Sequence, residues 1–154
     1  MERIPAELIT FFLSMVPFLE MKISIPIGLK LGLSQTSTFI FAVSGNILPA
    51  ALVLLIMDPL TKWARKHSKF LDNYLEKLFH KTRSKHSKNF MKFGALFIIL
   101  FVAIPLPGSG SAMGSVIAFL FDVDYWKAIT LIICGVLIAA FLITAGFTSL
   151  FALT

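Results

Sequence analysis

The apolar character of this chain is interrupted twice, and each interruption combines Pro and Gly with polar groups. The first runs Leu19-Glu20-Met21-Lys22-Ile23-Ser24-Ile25-Pro26-Ile27-Gly28, the second Ile104-Pro105-Leu106-Pro107-Gly108-Ser109-Gly110-Ser111. Lipid offers no hydrogen bonds, so a carboxylate, an ammonium and irregular hydroxyl-rich backbone at membrane depth must face protein or a water-filled cavity. The chain has to fold so that both interruptions are turned away from lipid.

That a membrane is the solvent follows from composition. Apolar residues make up 57%, mean hydropathy is +0.87 and 16 residues are Phe, well beyond the roughly 45–50% apolar content of soluble domains. At 154 residues the chain is read as one transmembrane domain, and so few helices point to self-association, a homo-oligomer, for a closed pathway. Of 14 Lys and Arg, all but Arg3, Lys22, Lys30 and Lys127 fall between Lys62 and Lys92. The positive-inside tendency makes that loop cytoplasmic, in a multi-pass protein of the cell membrane, and membrane lipid rather than nucleic acid is the partner expected for the charge. Cys134 is alone and cannot form an intrachain disulfide. Pro17 and Glu20 replace the small-residue cleavage site of a signal peptide, so the N-terminal stretch is expected to stay in the mature chain.

Segment lengths give the architecture. A spanning helix needs about 20 apolar residues, whereas a run of about 10–14 is re-entrant, interfacial or buried. Thr36 to Met57 and Ala128 to Leu150 are long enough to span; Leu8 to Leu19, Ile23 to Leu33, Phe93 to Ile104 and Ala112 to Phe121 are not. These short runs pair into two re-entrant hairpins, bent at Glu20 to Ile25 and at Pro105 to Ser111; the alternative is that each pair is one kinked span. The expected fold is therefore an all-α membrane protein of two broken helical hairpins and two full spans. Setting Gly45 on Gly135 gives an offset of 135 − 45 = 90, and Pro26 on Gly114 gives 114 − 26 = 88, which fits an inverted repeat with a small slip. The halves are 1–57 and 93–154, with 58–92 between them.

The middle segment reads as an amphipathic helix on the inner leaflet. Asp58-Pro59 supplies an N-cap and a first-turn proline, and Leu60, Trp63, Ala64, Leu71, Tyr74, Leu75 and Leu78 recur at helical spacing. Lys62, Arg65, Lys66, Lys69 and Lys77, with Lys81 beside them, are candidate contacts for lipid headgroups; the plainer reading is a solvated basic face that sets topology. His67, His80 and His86 have no metal-site spacing and are expected to be solvated. No metal and no cofactor are expected.

Within the first interruption Glu20 is the candidate proton carrier, because removal from water disfavours the ionised form of a carboxyl, while Lys22 acts in the opposite sense. If the backbone unwinds there, the two flank one cavity; otherwise they form a wet hairpin tip at the interface. Substrate contacts are expected from Lys22, Ser24, Pro26 and Gly28 in the first interruption, Asn46 in the adjacent span, and Pro105, Pro107, Gly108, Ser109, Gly110 and Ser111 in the second. The Gly-Ser run supplies N–H groups and hydroxyls that can nest an anion. A serine hydrolase would need a His or Lys base near Ser109 or Ser111, and every His lies in the basic loop. An enzyme is not the expected outcome.

Glu20-Met21-Lys22 with Ile25-Pro26-Ile27-Gly28-Leu29, and Ala103-Ile104-Pro105-Leu106-Pro107-Gly108-Ser109-Gly110, together resemble the small multidrug export protein family, a compact relative of the DedA/VTT superfamily of lipid-handling membrane proteins. The resemblance covers nearly the whole chain. Where that family's pattern reads Glu-x-Arg, this chain has Lys22, which keeps the charge and loses the bidentate fork. The superfamily resemblance implies re-entrant hairpins and proton-coupled movement of lipid phosphates, the family name implies drug efflux, and the residues favour an anionic amphiphile because Lys22 repels a cation. A membrane-shaping protein that senses anionic lipid through its basic helix is the non-transport alternative.

Overall fold

In the computed structural model, which describes residues 4–17, 19–106 and 108–152, the described residues form seven helices and no strands. They are α1 (Ala6–Met15), α2 (Glu20–Lys30), α3 (Gln35–His67), α4 (Lys69–Phe93), α5 (Leu96–Ala103), α6 (Ser111–Leu120) and α7 (Tyr125–Ala152). Only α3 and α7 are individually long and apolar enough to cross a membrane; α4 and α5 qualify together, but they meet at 117° across Gly94, whose φ is +56°. The protein is a membrane protein, with two such helices among the described residues, or three if the bent pair is one span.

At 33 residues α3 is about 50 Å long, longer than a hydrocarbon core of about 30 Å is thick. This corrects the expected helix start at Asp58-Pro59. The helix continues through Pro59 to His67 and breaks at Ser68, whose Oγ accepts from the Leu71 N–H to cap α4. Proline removes one helical hydrogen bond, and the helix tolerates that single loss at Pro59. The first interruption is also displaced. Helix α1 ends at Met15, and Glu20 itself begins α2 with φ +45°, while Pro26 is carried inside the helix. The second interruption falls where the sequence reading has it, between Ala103 and Ser111; Pro107 lies outside the described residues.

Close packing comes from small residues, as in membrane helix bundles generally. A Cβ on Gly45 would strike the Phe11 carbonyl, one on Gly135 would come within 2.9 Å of the Ile99 carbonyl, and one on Gly28 would meet Thr10 and Thr38. Polar links add to this in the interior. Ser14 Oγ donates to Ala42 O at 2.6 Å, Asn46 Nδ2 to Ser14 O at 3.3 Å, Ser111 Oγ to Asn46 O at 2.8 Å and Ser115 Oγ to Ala50 O at 2.9 Å. The end of α1 and the start of α6 are thereby pinned to the same stretch of α3.

One piece of local structure occurs twice. After α2, the N–H groups of Leu31, Gly32 and Leu33 donate to the carbonyls of Ile27, Leu29 and Gly28. After α6, Phe121, Asp122 and Val123 donate to Ile117, Phe119 and Ala118, each residue 90 later (121 − 31 = 90). The left-handed residue is Gly32 in one (φ +90°) and Asp122 in the other (φ +52°), Asp being among the few side chains that tolerate this region.

Candidate functional site

Glu20 and Lys22 sit on the first turn of α2, two residues apart, where their side chains would ordinarily diverge. The left-handed backbone at Glu20 changes that, and both reach the second interruption. Lys22 Nζ donates to the carbonyls of Leu106 and Ser109, the latter at 3.2 Å, and lies 3.7 Å from Glu20 Oε2. The Glu20 carboxylate lies directly against Gly110, the N-cap of α6, so closely that a Cβ there would overlap it. That carboxylate is also in the first turn of its own helix. The carboxylate is thus placed beside one ammonium and near the positive dipole ends of two helices, α2 and α6.

The hydroxyls expected to be free for an anion are engaged. Ser109 Oγ lies 2.6 Å from Ile104 O and 2.9 Å from Leu106 O and accepts from the Leu106 N–H, while Ser111 Oγ donates to Asn46 O. Asn46, Pro105, Ser109, Gly110 and Ser111 do line a junction with Glu20 and Lys22, but its free volume is only about 10 Å³. That is room for about one water. Ser24 and Gly28 lie deeper in α2, buried against neighbouring helices; Pro26 is half-buried, and none of the three lines the junction. Met21, Val102, Ala139 and Ile143 complete the wall; nothing in their local sequence marked them, since only the long-range fold brings them together.

A much larger groove of about 650 Å³ adjoins the junction, opening between α4 and α5, and Ser109 belongs to both. Gly108 lies in this groove. His86 corrects the expectation of solvated histidines: it is 9% exposed, with ring centroids 5.8 Å from Phe97 and 5.1 Å from Phe101. Burial, and secondarily the neighbouring Lys85, lower its pKa. His67 instead stacks on Trp63. Of the basic residues proposed for headgroups, Lys62 and Arg65 line a separate polar pocket of about 590 Å³ with Asp58, Glu76 and Asp122, and Lys66, Lys69 and Lys77 are exposed.

The contact at Gly110 yields a direct expectation. Gly110→Ala forces the Glu20 carboxylate off the end of α6, at about 1 kcal/mol, read as a lowered Tm in detergent. In a Glu20→Ala background the same change is expected to cost less, because the three atoms nearest the new methyl group all belong to the Glu20 carboxylate. Equal losses in both backgrounds would mean that Gly110 is needed for backbone shape alone.

No curated protein and no solved structure matches this chain. A family model, described as "Putative small multi-drug export protein", matches residues 20–142. That span begins at Glu20 itself and takes in Lys22, Asn46, the whole second interruption and most of α7, so the chain belongs to the small multi-drug export protein family.

Proposed function

We propose that this protein is a cell-membrane carrier that moves an anionic amphiphile, such as a lipid phosphate, in a proton-linked cycle. The observation that carries the reading is the Glu20 carboxylate lying against Gly110, the N-cap of α6, with Lys22 3.7 Å away. An anion site in the membrane interior is already built, and its occupant is a side chain that can be neutralised. Protonation of Glu20 releases its hold on these groups, and a substrate phosphate takes its place against the same ammonium and N–H donors. Return of the carboxylate expels the substrate on the other side.

The architecture proposed for this cycle is an inverted repeat of two re-entrant hairpins that meet at the junction. In its favour are the hydrogen-bond pattern that recurs 90 residues on and the convergence of Ser14 and Ser111 on the middle of α3. The basic segment 58–92 faces the cytoplasm in this scheme. Export of a lipophilic cation is the second reading, favoured by the family's description. Glu20 would serve as its counter-charge, but Lys22 already neutralises that position.

Thermal stabilisation of the purified protein separates the readings, since a ligand that binds the folded state raises Tm whatever the transport direction. Polyprenyl phosphate is expected to stabilise wild type to different extents on either side of neutral pH, and Glu20→Gln is expected to reduce that dependence to the part owed to the phosphate's own titration. Stabilisation by lipophilic cations alone, lost in Glu20→Gln, would establish drug export instead. No response to phosphate lipid or cation would favour the membrane-shaping alternative.

A further inference from the structure

We infer that the groove between α4 and α5 binds the apolar chain of a lipid whose headgroup is a phosphate monoester, with Lys81 and Lys85 holding the headgroup. The inference rests on the carrier reading above and adds the substrate's class and where it docks.

The groove's volume of about 650 Å³ is that of a single-ligand site, roughly 300–1,000 Å³. It exists because Gly94, in a left-handed conformation, folds α4 back along α5 at 117°. Its floor is Phe97 and Phe101 with His86 packed against them. Leu100 and Ile104 carry the apolar wall toward Ser109, whose carbonyl is held by Lys22. A chain lying here leads directly to the Glu20–Lys22 junction.

Charge fixes the headgroup. Lys81 and Lys85 are four residues apart on one face of α4, and both line the groove. Neither is in an ion pair among the described residues, and no carboxylate lines the groove. The neighbouring polar pocket is different: its Lys62, Arg65 and Arg83 are offset by Asp58, Glu76 and Asp122. Two uncompensated ammonium groups suit a phosphate monoester, which carries about −1.5 to −2 near neutral pH, better than a singly charged diester or a zwitterion.

The test is equilibrium binding of a long-chain alkyl phosphate to the full-length protein in nanodiscs of uncharged lipid, beside the alcohol and the methyl phosphodiester of the same chain. Lys81→Gln/Lys85→Gln is expected to weaken the monoester roughly tenfold or more and leave the alcohol unchanged. Leu100→Trp, at a site 40% exposed where a larger ring is tolerated by the fold, is expected to weaken both by filling the groove. Monoester binding unchanged in both variants but lost in Lys22→Met would overturn the groove assignment and leave the carrier reading standing. Equal binding of monoester and diester would overturn the headgroup assignment. A wild-type protein that binds the phosphate no better than the alcohol would overturn both inferences.

Discussion

Lys22→Met is expected to lower the stability of the folded protein by about 3 kcal/mol and to weaken phosphate-lipid binding, whereas Lys22→Arg retains both. Three acceptors meet this one ammonium: the carbonyls of Leu106 and Ser109, the former also accepting from Ser109, and the carboxylate of Glu20. Methionine fills similar volume and satisfies none of them. Removing one partner of a buried ion pair leaves the other charge uncompensated, at about 3–5 kcal/mol. The lower end applies here because the Lys22 side chain is 24% exposed and that of Glu20 14%. A double-mutant cycle with Glu20→Gln divides the loss. The part owed to the stranded carboxylate vanishes when Glu20 is neutral; the part owed to the two carbonyls persists. Arginine carries the same charge with five donors in a planar fork, so it can serve both carbonyls. A methionine variant as stable as wild type would mean that the contact between the two interruptions contributes nothing to the fold.

That contact joins residues 84 and 87 positions apart in sequence, and it marks where sequence reading stops. Local chemistry made the second interruption legible: two prolines followed by a short Gly-Ser run cannot continue a helix, and the structure breaks there. The first was legible only as a region. Pro26 looked like the breaker, yet a single proline removes a single hydrogen bond and α2 absorbs it; α1 ends at Met15, and Glu20 begins α2 with left-handed backbone. Asp58-Pro59 misled for a similar reason, because a strong capping pair does not end a long apolar helix that already has its momentum from Thr36 onward. Ser68 did the capping, and its signal was a lone hydroxyl in a charged stretch. His86 shows the remaining limit. Nothing on its own helix marks it as buried, since the rings that cover it, Phe97 and Phe101, arrive only when α4 folds back at Gly94. Glu20 and Lys22 stood out in the sequence as charges in an apolar zone, but their partners came from the other half of the chain.

Gly45→Val is expected to destabilise the protein by about 3 kcal/mol or more, the upper range for overpacking, and Gly146→Val is expected to leave Tm unchanged. Gly45 is where α1 lies against α3. A Cβ there would run into the backbone carbonyl of Phe11 and come within 3.1 Å of the Ser14 side chain. Backbone cannot rotate aside as a side chain can, so the helices must separate, and with them go the links between Ser14 and both Ala42 and Asn46. Asn46 in turn accepts from Ser111 at the start of α6. The damage is thus expected to spread from helix packing to the junction, weakening phosphate-lipid binding in a variant whose substitution touches no proposed ligand. Gly146 has nothing within 4 Å of the position its Cβ would take, which makes it the matched control for adding a β-branched residue to a long apolar helix. Gly135, 90 residues after Gly45, meets the Ile99 carbonyl and Val102 and should behave like Gly45. Sensitivity at positions 45 and 135 with tolerance at 146 would indicate that α1 and α5 are each seated on a long helix by one close backbone approach; equal tolerance at all three would show that α1 and α5 can shift without loss, and the fixed junction described above would not survive that result.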